Sequence, residues 1–323
     1  MRNVLVDCFL LFSMATLLTL LLVPHFRTIG LRLRIVDNPS IKEKDKQGNC
    51  REKLHTKITP LTGGIALFVS FWTAVFITLE INQQIAGIFL GSLFIVVVMA
   101  LDDIYDLKPG IKLIAQCIAA TIPIFFGVQI RYISNPSTGN YFDIGFWGVI
   151  FSIFWSVAFM NAMNLIDGLD GLATGIAGIA FLAMFVVAVL SGFVIPSFFA
   201  IALAGCCFAF LRYNFYPASI FLGDCGAHFL GYMIGAISIW AGLKATSGVV
   251  LLIALVGFGI PIFDVFFSII TRSRKGKKIY EADLENIHYQ LHRKKGWGQR
   301  RIALVFYAIT ALLCLIPILL LYL

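Results

Sequence analysis

Residues 159–175 read FMNAMNLIDGLDGLATG, from Phe159 to Gly175. An apolar run near 146–163 leads into this stretch and another, near 171–191, leads out of it. About twenty apolar residues cross the hydrocarbon core of a bilayer, so the stretch reads as a short link between two membrane spans. It carries Asn161, Asn164, Asp167 and Asp170 and no basic residue. On a helix or tight turn that three-residue spacing stacks amides and carboxylates along one side. An acidic strip at the membrane edge with nothing to neutralise it implies a bound cation, and oxygen ligands point to Mg²⁺. Gly168, Gly171, Gly175 and Gly178 permit close backbone approach, either to a ligand or to a packed helix.

The same reading extends along the chain. Of its 323 residues 59% are hydrophobic and 13% charged, against about 25% charged in a soluble domain, and mean hydropathy is +0.91. Ten candidate spans lie near 4–24, 60–80, 84–101, 111–130, 146–163, 171–191, 194–211, 225–241, 248–270 and 302–322. The first is too long for a signal-peptide core and lacks a small-residue cleavage site, so it reads as a retained helix. With the N-terminus outside, the inner segments 25–59, 102–112, 161–174, 211–224 and 271–301 hold 22 of the 25 basic residues. The positive-inside rule therefore places both termini in the periplasm and those five segments in the cytoplasm. Thirteen of the 17 acidic residues fall in the same segments, which puts the chemistry on that face. The expected fold is an all-α, polytopic integral membrane protein of about ten transmembrane helices, one domain over 1–323. The net charge of +8 is topological, and no nucleic-acid partner is implied. The seven scattered cysteines read as small buried hydrophobes.

Three further segments carry polar motifs. Residues 101–113, LDDIYDLKPGIKL, place Asp102 and Asp103 at a helix end with Lys108 and Lys112 close behind. Adjacent carboxylates repel and hold a proton more tightly, which suits a general base or a metal site; a solvated helix end is the plainer alternative. Residues 211–231, LRYNFYPASIFLGDCGAHFLG, set Asp224 between two glycines just before a helix. A helix N-terminus favours phosphate, Asp224 suits a metal beside it, Phe221 suits stacking on a base and Asn214 suits a nucleotide hydrogen bond. The last inner segment holds His288, His292 and ten basic residues. A positive-inside anchor accounts for most of that charge, while two anionic substrates would also need such a wall.

The motifs DDIYD, NAMNLIDGLDGL and FLGDCG and the His-bearing last segment occur in order and on one expected face. Over about residues 50–310 the chain resembles the polyprenyl-phosphate N-acetylhexosamine-1-phosphate transferases, bacterial enzymes that start O-antigen, enterobacterial common antigen and teichoic-acid linkage synthesis. Phospho-N-acetylmuramoyl-pentapeptide transferase is a more distant relative. The resemblance implies a multi-pass protein of the bacterial inner membrane. Its expected reaction is attack of undecaprenyl phosphate on the β-phosphorus of a UDP-N-acetylhexosamine, with UDP-GlcNAc the expected donor and UMP released. On this resemblance Asp224 and Asn164 are assigned to Mg²⁺, with Mn²⁺ able to substitute. Asp102 is assigned as base or positioner for the lipid phosphate with Asp103 beside it, Asp167 as support to the metal, and His288 to the diphosphate or sugar. Lys112, Asn161, Asp170, Asn214, Phe221 and Arg293 are assigned to substrate binding, and a homodimer is left open. The family's His-Ile-His-His run is here Asn286-Ile287-His288-Tyr289, and the triple-His run of the muramoyl branch is absent, which disfavours that substrate. A transporter or flippase of a lipid-linked sugar would explain Asp264, eight residues before Arg272 inside the ninth span, but not acidic motifs confined to one face. Asp264 is expected either to bond a neighbouring helix or to line a groove for the polyprenyl chain and help orient the catalytic loop.

Overall fold

Apolar segments of this length have one way to satisfy their backbone in lipid, the α-helix, and the chain takes it. The computed structural model describes residues 4–39, 43–44, 50–51, 55, 57–134, 141–242, 259, 263–264, 271 and 286–320. Among them are ten helices: α1 Val4–Leu33, α2 Gly63–Thr78, α3 Gln83–Tyr105, α4 Pro109–Phe125, α5 Gly145–Ile166, α6 Leu172–Leu190, α7 Val194–Asn214, α8 Gly223–Gly242, α9 Ile287–Lys295 and α10 Gln299–Leu320. Six of these (α1, α3, α5, α6, α7 and α10) are long and apolar enough to cross a membrane, while α2 and α4 are shorter apolar helices. Nine of the ten expected spans coincide with helices. The expected span at 248–270 lies outside the described residues, apart from Gly259, Phe263 and Asp264.

Three local expectations are corrected. The first helix does not stop at Pro24 but continues to Leu33. Proline removes the N–H that would bond the carbonyl of Leu20, and the Tyr213 hydroxyl donates to that carbonyl at 3.0 Å instead. The last inner segment, read as loop, contains α9. The connections also carry three antiparallel two-stranded ribbons, a small departure from an all-α chain. They are β1 Val36–Asp37 with β4 Thr59–Pro60, β2 Glu43–Lys44 with β3 Cys50–Arg51, and β5 Tyr132–Ser134 with β6 Tyr141–Asp143.

Burial separates lipid-facing from interior helices. On α1 the buried residues Cys8, Leu11, Ala15, Thr19 and Val23 form one stripe at helical spacing, facing α2 and α7. Leu5, Phe9, Leu17 and Leu21 on its other faces are exposed, as a bilayer requires. By contrast α8 is buried on all sides from Cys225 to Ala241, and α2, α3 and α5 pack around it. Small residues make this crowding workable. A Cβ added at Gly64 of α2 would strike the backbone of Gly226 and come within 2.9 Å of the Cys225 carbonyl carbon. Overpacking of this kind costs about 1–3 kcal/mol. Gly64→Ala is expected to lower the thermal midpoint of the detergent-solubilised protein; an unchanged midpoint would mean that α2 and α8 are not held at this spacing.

Candidate active site

The C-terminal end of α3, the N-terminal ends of α4, α6 and α8, and the C-terminal ends of α5 and α7 meet at one end of the bundle. Asp102 and Asp103 are neighbours in sequence, but α3 turns them toward different partners. Asp102, 5% exposed, accepts the Leu107 N–H through Oδ1 at 2.8 Å and holds Lys112 Nζ through Oδ2 at 2.5 Å. The same ammonium stands 3.0 Å from Asp224 Oδ2, so one cation from α4 bridges carboxylates of α3 and α8. Asp103 instead accepts the N–H groups of Asp224 at 2.9 Å and Cys225 at 3.2 Å. It thus caps α8 from a neighbouring helix. This corrects the expectation of a phosphate cradle at that N-terminus, because those two amides already bond a carboxylate.

The Asp167–Asp170 turn lies beside Asp224. Burial pushes the Asp167 carboxyl up to about 8, and the nearby charges of Asp224 and Asp170 act in the same direction. Burial also raises Asp170, while the Ala218 N–H that it accepts at 2.9 Å and the charge of His55 pull it back. The backbone N–H of Asp170 donates to Gln299 Oε1 at 3.3 Å. Asp102 and Asp224 therefore share one ammonium, with Asp103 bonded to the start of α8 and Asp167 and Asp170 on the turn beside Asp224. Among the described residues Lys112 is the one cation within ion-pair distance of any of them.

Other expected site residues occupy supporting positions. Asn214 is buried; its Oδ1 accepts from Thr174 at 2.9 Å and its Nδ2 donates to the Ile220 carbonyl at 3.0 Å. It therefore shapes the 215–222 loop rather than opening onto it. Phe221 lies in that loop with the His55 ring edge-on at 5.1 Å. Asn161 exchanges amide hydrogen bonds with Gln116, and Gln116 reaches His228 Nε2 at 2.9 Å. His228 Nδ1 meets the Asp224 carbonyl at 2.8 Å. Carbonyls only accept, so Nδ1 bears the hydrogen and Nε2 accepts from Gln116. Asn164 is half-buried on α5, one turn beyond Asn161. His288 is fully buried, whereas Arg293 is exposed on α9 and makes no ion pair among the described residues.

Gln116, His228, His55 and Gln299 were not singled out from the sequence. For the first two a signal exists: each is a polar side chain inside an apolar helix, four residues after Lys112 and Asp224 respectively.

The cluster has the donor chemistry for a divalent cation. Among the described residues no three His, Cys, Asp or Glu side chains stand together as a ready-made cage. Magnesium, however, is commonly held by one or two carboxylates together with substrate phosphates and water, and the excess of carboxylate over ammonium fits that mode.

A polytopic helical bundle with a carboxylate cluster at one end defines a membrane-embedded enzyme class. The family model described as glycosyl transferase family 4 matches residues 85–242, which include every clustered carboxylate. A Bacillus subtilis protein named "Probable undecaprenyl-phosphate N-acetylglucosaminyl 1-phosphate transferase" is 31% identical over 92% of this chain and 80% of its own length. A Geobacillus thermodenitrificans protein named phospho-N-acetylmuramoyl-pentapeptide-transferase is 30% identical over 95% of both chains. The decaprenyl-phosphate N-acetylglucosaminephosphotransferase of Mycobacterium tuberculosis H37Rv is 29% identical over 91% of this chain and 77% of its own. The chain belongs to glycosyl transferase family 4.

Asp167 makes stability pH-dependent. Its carboxyl binds a proton more tightly folded than unfolded, so its contribution is full below about 4 and is lost as pH rises toward about 8. In EDTA, Asp167→Asn is expected to flatten this decline and raise the thermal midpoint at pH 8. A midpoint at pH 8 no higher than that of the unmutated protein would contradict the assigned environment.

Proposed function

We propose that this chain transfers N-acetylglucosamine 1-phosphate from UDP-GlcNAc to undecaprenyl phosphate, releasing UMP, as a single-domain, multi-pass enzyme of the bacterial inner membrane that initiates a cell-envelope polysaccharide such as O-antigen. The observation that carries the reading is the pairing of Asp102 and Asp224 on Lys112, beside the turn of Asp167 and Asp170, in a chain whose relatives bear polyprenyl-phosphate transferase names. In the reaction an oxygen of the lipid phosphate bonds to the β-phosphorus, the bond from that phosphorus to the bridging oxygen breaks, and UMP departs with the electron pair. The barrier is electrostatic: two anions must meet while charge rests on the equatorial oxygens.

Asp224, Asn164 and Asp167 would hold Mg²⁺ or Mn²⁺, which supplies neutralisation of the phosphate oxygens when bound. Lys112 adds a cation already oriented by two carboxylates, and Asp102 positions the lipid phosphate or accepts its proton. Asp170 and Phe221 form the nucleotide end, and Asn214 holds the loop that carries Phe221. Direct displacement needs no covalent intermediate and is the simpler course. The near-equal identity to the muramoyl-pentapeptide transferase relative keeps UDP-MurNAc-pentapeptide as the second donor to test.

Purified protein given undecaprenyl phosphate and a panel of UDP-sugars is expected to release UMP with UDP-GlcNAc, to lose activity in EDTA, and to regain it with Mg²⁺ or Mn²⁺. Asp224→Asn is expected to cost at least about a hundredfold in rate; full activity would remove that residue from the site. UMP release with UDP-MurNAc-pentapeptide alone would replace the donor.

The cluster is proposed to face the cytoplasm. A cysteine at Lys108 should be labelled by an impermeant reagent only from that side, and one at Ser191 only from the other; the reverse pattern would overturn the orientation.

A further inference from the structure

Asp264 lies deep inside the expected span 248–270, at a cost of a few kcal/mol for a charge near the centre of a membrane helix. Its side chain is 1% exposed. Oδ1 accepts the N–H of Ile287, the first residue of α9, at 2.7 Å. Oδ2 stands 3.3 Å from Nδ1 of His288, a ring that is 0% exposed. At that distance the carboxylate and the ring make an electrostatic contact. Among the described residues neither Asp264 Oδ2 nor His288 Nδ1 has a hydrogen-bond partner, and neither does Nε2.

That nitrogen faces the acidic turn. A Cβ built on Gly168, between Asp167 and Asp170, would lie 2.5 Å from His288 Nε2 and 2.7 Å from Tyr289 Oη. The start of α9 is tied to the same turn by Asn286 Nδ2, which donates to the Leu165 carbonyl at 2.9 Å. Residues 286–289 therefore lie directly against the turn, and one buried side chain contacts two consecutive residues among them.

We propose that Asp264 is a positioning residue: by holding the Ile287 N–H and the His288 ring together it fixes the start of α9, which braces the turn carrying Asp167 and Asp170. This role takes up the expected orientation of the catalytic loop. A simple helix cap would need only a neutral oxygen for Ile287, whereas the charged acceptor turned to His288 orients the imidazole. The kinetic part of the test rests on the transferase reading; the spectroscopic part does not.

Asp264→Asn keeps an acceptor for Ile287 and removes the charge. It is expected to lower kcat on the order of tenfold to a hundredfold, as a displaced catalytic geometry does, with KM for the UDP-sugar and lipid phosphate within about twofold of the unmutated values. Added to His288→Gln, the same change should cost less than about twofold more, because the two residues act as one unit. Losses that multiply, or a fully active Asp264→Asn, overturn the proposal. Should Asp264→Asn fail to fold, Gly168→Ala decides: a comparable kcat loss at unchanged KM supports the brace, and full activity overturns it. Should the unmutated protein release no UMP with any donor, the transferase reading fails and ¹⁵N-histidine spectra decide, with His288 assigned from its loss in His288→Gln. Hydrogen on Nδ1 supports the proposal; hydrogen on Nε2 overturns it.

Discussion

One ammonium group stands between carboxylates of two different helices, and the end of the bundle is organised around it. Lys112 meets Asp102 and Asp224 at 2.5 and 3.0 Å, which fixes α4 against both α3 and α8. Removing Lys112 would leave the buried Asp102 without its ion-pair partner, a costly outcome for a buried charge. Among the described residues one ammonium faces two carboxylates, which leaves this end short of positive charge. That shortage connects packing to chemistry, because a phosphate-bearing substrate approaches such a site only with additional neutralisation.

The neighbouring residue does different work. Asp103 bonds the amides that open α8, and this contact sets where Asp224 begins its helix. Below that level Gln116, His228 and Asn161 join α4, α8 and α5 through side-chain hydrogen bonds. In lipid such polar contacts have few competitors, so a satisfied chain of them gives the carboxylate layer a fixed floor. On the opposite side of the polypeptide's order, the 286–299 segment reaches back to the acidic turn through Asn286 and Gln299. Parts of the chain more than a hundred residues apart thus hold one short turn.

Interior and lipid-facing helices are distinguished by what surrounds them rather than by hydropathy. α1 and α7 are similarly apolar, yet 22% of the α1 window is buried against 78% of that of α7. Apolar side chains satisfy lipid and protein neighbours equally, which is why small residues such as Gly64 and Gly226, and not greasiness, mark the close contacts.

The sequence by itself determined the membrane class, the positions of nine helices and the membership of the polar motifs, because runs of about twenty apolar residues and clustered carboxylates are local signals. It also determined that Asp102, Asp167, Asp170 and Asp224 belong to one chemical theme. It did not separate Asp102 from Asp103, since adjacent residues on a helix point about 100° apart and only the neighbouring helices decide what each meets. Nor did it show that Asn214 is turned inward to Thr174 and Ile220, or that Asp264 meets His288. Partner choice for a hydrogen-bonding group depends on distance and direction in three dimensions, and the tertiary packing of the helices alone supplies both.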